Sequence, residues 1–163
     1  MRSRTAQWFE CKVRYEKAAE DGTMKRVSES YTVDALSFSE AEERITEEMS
    51  SAIRGEFAIT DIKIAPYREV FFADADSADK WYRAKLAFIT LDEKTGKEKR
   101  SLILYLVNSG SVSGAVRSID EVMNGTMIDY IIVAVQETQL MDVFEYRSKV
   151  GEKNVSQSES EDQ

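Results

Sequence analysis

Residues 30–45 run SYTVDALSFSEAEERI and residues 104–119 run LYLVNSGSVSGAVRSI, and both belong to a longer internal repeat. Trp8-Phe9-Glu10-Cys11-Lys12-Val13 aligns with Trp81-Tyr82-Arg83-Ala84-Lys85-Leu86 at a spacing of 73, and Tyr15 falls on Phe88. Gly22, Lys25-Arg26, Tyr31 and Val33 meet Gly96, Lys99-Arg100, Tyr105 and Val107 at a spacing of 74, as do Ser37, Ser39, Ala41, Ile45 and Met49 with Ser111, Ser113, Ala115, Ile119 and Met123. Val70-Phe71 later meets Val143-Phe144. Matches kept in one order over successive segments restrict the chain to two copies of one supersecondary unit.

Each copy opens with a hairpin pattern. In residues 7–16, Phe9, Cys11, Val13 and Tyr15 alternate with Trp8, Glu10, Lys12 and Arg14, the period of a half-buried strand. Glu20-Asp21-Gly22-Thr23 supplies a turn, and residues 25–34 return as a second strand. Residues 80–91, Lys94-Thr95-Gly96-Lys97 and residues 99–108 repeat the pattern. A helix follows, capped by Ser37 with Glu40 as a capping box, and Ala41, Ile45 and Met49 form its apolar stripe. In the second copy Ser111 begins the helix, Ala115, Ile119 and Met123 carry the stripe, and Asn124-Gly125 ends it. FAITDIKIA and YREVFFA read as strands closing the first copy, DYIIVAVQE and LMDVFEY as those closing the second. Pro66 falls between two strands, where its missing N–H does least harm.

The expected fold is therefore α+β, an internal duplication of a β-β-α-β-β unit with antiparallel sheets, each carrying one packed helix. The repeats span residues 5–73 and 80–147, joined by a polar linker at 74–79, DADSAD. Residues 148–163 form a Ser/Gln/Glu/Asp tract with too little apolar surface to order itself.

SFSEAE at 37–42, the duplicated Trp-aromatic-x-x-Lys start and MDVFEY at 141–146 carry a resemblance to a family of uncharacterised proteins from Bacteroides-type gut bacteria and their phages. It covers most of residues 5–146, including DALSFSEAE, EMSS, KWYRAKL and GTMIDY. The resemblance implies a bacterial or prophage origin and an intracellular setting, and it carries no site residue across.

The 163 residues contain no histidine. Without imidazole there is no Ser-His or Cys-His nucleophile pair, no imidazole base and no His-containing metal site, so any chemistry would fall to carboxylates, lysine or tyrosine. A non-enzymatic protein without cofactor or metal is expected. The acid run at 74–79 lacks the sharp-turn glycine and terminal bidentate Glu of a Ca²⁺ loop and reads as a solvated linker. No apolar run has the length of a membrane span, and MRSRTAQWFECKVRY lacks a signal-peptide apolar core, so a cytoplasmic protein is expected. The lone Cys11, between Phe9 and Val13, reads as a small buried hydrophobe. Asp34 and Asn108, at equivalent places before each helix, read as turn residues whose side chains bond nearby backbone.

With one helix per sheet, alternation places Trp8, Lys12 and Arg14, and Trp81, Arg83 and Lys85, on the helix-free face. An exposed indole beside two cations suits single-stranded nucleic acid: each stacked base contributes about 1–3 kcal/mol while the cations follow phosphate. The acidic tail can then compete for that face or recruit phage or host replication proteins. The alternative is that the same face is an interface in protein–protein or homo-oligomeric assembly. The strand at 102–107, with leucines at 102, 104 and 106 and Ile103, Tyr105 and Val107 between them, is apolar on both faces, as interior strands are. The formal charge of −8 weakens phosphate attraction and favours the interface.

Overall fold

The structure, a computed structural model, describes residues 6–146; the tail expected at 148–163 lies outside them. The first sequence copy forms β1 (Gln7–Ala18), β2 (Met24–Ala35), α1 (Phe38–Ala52), β3 (Phe57–Ala65) and β4 (Tyr67–Phe71). The second forms β5 (Lys80–Leu91), β6 (Glu98–Ser109), α2 (Val112–Asn124), β7 (Asp129–Glu137) and β8 (Leu140–Phe144). The chain is thus α+β, a β-β-α-β-β arrangement occurring twice, with one helix on each four-stranded sheet.

Local chemistry accounts for these elements. Gly22 and Gly96, at φ +83° and +70°, supply the left-handed residue of the two hairpin turns. Asp21 Oδ1 fixes the first turn by accepting from the Thr23 N–H at 3.0 Å, and Asp92 Oδ1 fixes the second by accepting from the Lys94 N–H at 2.9 Å. Ser37 Oγ accepts from the Glu40 N–H at 3.1 Å and Ser111 Oγ from the Gly114 N–H at 3.0 Å, so both helices begin at the expected serine caps, with only the serine half of the capping box expected at Ser37 and Glu40 formed. Helix α1 stops where Ile53 turns extended, and α2 stops at Gly125.

One structural unit runs to Ala65 and resumes at Leu140, and the other is Pro66–Gln139. The sequence repeats, with their boundary at 74–79, are therefore not the structural units. The first sheet has strand order β3-β1-β2-β8 and the second β4-β6-β5-β7. Each is completed by a strand from the other half of the sequence. That strand joins parallel, β8 along β2 and β4 along β6, so the sheets are mixed, whereas antiparallel sheets were expected.

Chain connection explains the exchange. Pro66 alone separates β3 from β4, and one residue cannot reverse the chain into a hairpin. Between β7 and β8, Thr138 is held to the Trp81 carbonyl by its N–H and its hydroxyl, each at 2.8 Å, which leaves only Gln139 free. The segment at 74–79 is not a joint between units. It lies inside the second unit, where Gly110 passes so close that a Cβ there would stand 2.4 Å from the Ser77 carbonyl oxygen.

The first core packs Phe9, Cys11, Val13, Val33 and Ala35 of the sheet against Ala41, Ile45 and Met49 of α1. The second packs Tyr82, Ala84, Leu86, Tyr105 and Val107 against Ala115, Ile119 and Met123 of α2. Each large aliphatic side chain so buried contributes about 1.5–3 kcal/mol. Equivalent aromatic pairs bind the exchanged strands: Tyr31 stacks on Phe144 at 5.9 Å, and Tyr105 meets Phe71 edge-on at 5.1 Å. The duplication extends to irregularities. Thr60 in β3 and Val133 in β7, 73 residues apart, are each the extra residue of a bulge against the first strand of their sheet.

Candidate functional site

The six residues expected to make contacts do lie on the helix-free faces, but the two indoles are not surface groups. Trp8 is 2% exposed and Trp81 5%. Register places Trp8 beside Asp34 and Ala65, both buried, and in the second unit Phe72 covers Trp81 edge-on at 5.3 Å. The exposed Trp/Lys/Arg face is corrected on this point, because indoles buried in this way offer no surface for a base. The cations Lys12, Arg14, Arg83 and Lys85 are all exposed. The Arg83 guanidinium is engaged within its unit. It donates to the Tyr67 hydroxyl at 3.2 and 3.0 Å, with its charge 5.7 Å from that ring. Lys12 pairs in register with Asp61, Glu10 with Lys63, and Glu16 with Arg26, so the first sheet carries a mosaic of both signs.

The two helix-free faces have diverged toward their far ends. In the second unit that end is apolar: Leu102 is 62% exposed, Ile131 40% and Val133 51%. Strand β6 is interior, as its two-sided apolar pattern predicts, with Leu106 and Val107 fully buried, yet Leu102 is open. In the first unit the equivalents of Leu102, Ile131 and Val133 are Ser28, Ala58 and Thr60. There Arg14, Tyr15, Glu16, Met24, Arg26, Gly55, Glu56, Phe57 and Ala58 line a cavity of about 510 Å³. The Tyr15 hydroxyl donates to Glu29 Oε1 at 2.5 Å, and this bond is the main cause that pushes the phenol up to about 12.

A third constellation was not foreseen. Asp34 and Asn108, expected to bond locally, instead reach across the sheet to the exchanged strands. The Asp34 carboxylate accepts from the Tyr146 N–H at 2.9 Å, and Asn108 Oδ1 from the Ala73 N–H at 3.3 Å. Each thus holds the backbone two residues past its exchanged strand, Phe144 or Phe71. In the first unit Arg44 of α1 completes the latch. Its Nη1 donates to both the carboxylate and the carbonyl of Asp34, its Nη2 donates to the Phe144 carbonyl at 3.4 Å, and the guanidinium lies 5.4 Å from the centre of the Tyr146 ring. In the second unit the counterpart of Arg44 is Ser118, and Asn108 donates instead to the carbonyls of Ala78 and Lys80 at 3.0 and 2.9 Å. The equivalent spacing of Asp34 and Asn108 was visible in the sequence, but their partners, 112 and 35 residues away, were not.

Cys11 is fully buried in the first core, and desolvation pushes its thiol up to about 12. It is therefore expected to react with a disulfide reagent near pH 8 only at the rate of global unfolding, and fast labelling of the native protein would contradict its place in the core. Among the described residues no group of three His, Cys, Asp or Glu side chains could hold a metal ion, and no helix is long and apolar enough to cross a membrane.

No curated protein and no solved structure matches the chain. Residues 7–146, which contain both sheets, both latches and the diverged faces, match the family described as "Domain of unknown function (DUF4494)", and the chain belongs to that family.

Proposed function

We propose that this chain is a non-enzymatic, intracellular protein-interaction component of the phage or mobile-element type, which self-associates through the helix-free face of its second unit. The observation that carries this reading is the group Leu102, Ile131 and Val133, exposed together at the far end of that face, where the same fold in the first unit has Ser28, Ala58 and Thr60. The fold does not require apolar residues at these places, since one copy does without them. A contiguous exposed apolar surface marks an interaction site. A second copy suffices to cover it, because a two-fold contact sets the same apolar patch against itself. Single-stranded nucleic acid is the less supported ligand for the indole-bearing face, since base stacking needs open rings.

Sedimentation at tens of micromolar is expected to give a dimer that Leu102→Glu and Ile131→Glu each convert to monomer. Raising salt should tighten the dimer, because the partners share a formal charge of −8 that salt screens. A monomer at all concentrations, or a dimer unaffected by both substitutions, would overturn this reading.

A further inference from the structure

We propose that two copies of the chain meet about a two-fold axis running along β5, so that Arg100 of each protomer pairs with Asp129 of the other. This rests on the self-association reading above and adds to it the geometry and the charges that make the contact specific.

Register fixes the rows of the helix-free face. Arg100, Ile89 and Asp129 lie in one row across β6, β5 and β7, and Leu102, Ala87 and Ile131 lie in the row beside it. Arg100 and Asp129 are exposed, and neither is in an ion pair with another described residue. Strands β6 and β7 flank β5 at about 4.8 Å on either side. A half-turn about an axis along β5 therefore exchanges the two flanks. It sets Leu102 over Ile131 of the second copy and Arg100 over Asp129 of the second copy, each twice. Ala87, small and buried, lies at the axis between the apolar pairs. Stacked sheets stand about 10 Å apart, a gap that a guanidinium and a carboxylate reaching from opposite sides can close. An axis across the strands instead turns one end of the patch onto the other, and leaves Arg100 over Leu104 of the second copy with no carboxylate opposite.

The first unit lacks this arrangement. Its counterparts of Arg100, Ile89 and Asp129 are Arg26, Glu16 and Glu56, and those of Leu102 and Ala87 are Ser28 and Arg14. Arg26 has Glu16 as its cross-strand neighbour. With Ile89 in that place, Arg100 keeps its charge and loses its acidic cross-strand neighbour, which leaves it available to a carboxylate from outside the chain.

The test inverts one charge at a time and follows self-association of the full chain by sedimentation. Arg100→Glu sets carboxylate against carboxylate at both contacts, and Asp129→Arg sets cation against cation. Each should weaken the dimer about tenfold or more, because two contacts are inverted at once. Asp129→Arg also reduces the formal charge of −8 by two, so net repulsion alone predicts the opposite change. An equimolar mixture of the two variants should dimerise as the parent does, since every contact between unlike chains again joins a cation to a carboxylate. Both substitutions in one chain, which keep the parent's net charge, should restore the homodimer. Lys99→Glu, on the opposite face of β6 from Arg100, makes the same charge change as Arg100→Glu and should weaken the dimer far less. Salt should tighten Arg100→Glu more steeply than the parent, since in the parent screening also weakens the two attractive pairs. Single inversions that dimerise like the parent, or a mixture no tighter than either variant alone, would overturn the arrangement. If Leu102→Glu still gives monomer in that case, self-association through this face stands and only the axis is wrong; a monomeric parent would overturn both. Arg100 and Asp129 are exposed, so circular dichroism of the variants should match the parent.

Discussion

Arg44→Met is expected to destabilise the protein by about 3–5 kcal/mol, because it strands a buried carboxylate. Arg44 and Asp34 are both buried, and the guanidinium is the only cation in an ion pair with Asp34 among the described residues. The loss should exceed that of an exposed salt bridge such as Lys80 with Glu137, 3.8 Å apart at the surface, whose removal should cost about 0–1 kcal/mol. The second unit offers a compensated design, since it holds its exchanged strand with Asn108 and has, in place of Arg44, Ser118, whose hydroxyl bonds the Gly114 carbonyl of its own helix. Asp34→Asn combined with Arg44→Ser should therefore recover much of the stability that Arg44→Ser alone loses, a positive coupling of about 1–3 kcal/mol in a double-mutant cycle. Urea denaturation followed by circular dichroism measures all of these. If Arg44→Met unfolds at the parent midpoint, the latch contributes nothing to holding β8.

Trp8→Ala should cost a similar amount, about 3–5 kcal/mol, as expected for a large aromatic removed from a close-packed interior. The indole is 2% exposed, so its loss removes one of the largest fully buried side chains in the chain. This result separates a buried Trp8 from a surface stacking residue, whose replacement would leave stability almost unchanged and weaken only a ligand. Emission of the native protein should be blue-shifted, because Trp8 and Trp81 are both buried and are the chain's only two tryptophans. Iodide should quench it little. An emission maximum typical of water-exposed indole would contradict the burial of both.

Much of the architecture was legible because it rests on short-range periodicity. Phe9, Cys11 and Val13 against Trp8, Glu10 and Lys12 define two faces of a strand by alternation alone, and Ala41, Ile45 and Met49 define one face of a helix. Gly22 and Gly96 mark turns that need positive φ. The side of the sheet on which Trp8, Lys12 and Arg14 lie was correct for the same reason. Their exposure was not, because alternation says which face a side chain occupies and nothing about what covers that face. Trp8 and Lys12 share a face, yet one is buried and the other exposed. The cavity escaped notice because it joins Arg14 and Arg26 to Gly55 and Phe57, residues adjacent only once β3 has paired with β1.

By itself the sequence determined that this protein is a duplicated β-β-α-β-β unit, where its helices begin, and which residues form the two cores under them. These features follow from contacts between residues a few positions apart and from the repetition of one pattern. Only the tertiary structure decided which sheet each fourth strand completes. YREVF and LMDVF carry nearly the same pattern, so neither sheet distinguishes them by hydrophobicity. The choice fell to the connections: a single proline after β3, and Thr138 pinned to Trp81 after β7, deny each strand a hairpin turn and send it to the other half's sheet. Asp34, Arg44 and Asn108 then hold the result in place through partners that no local pattern could reveal.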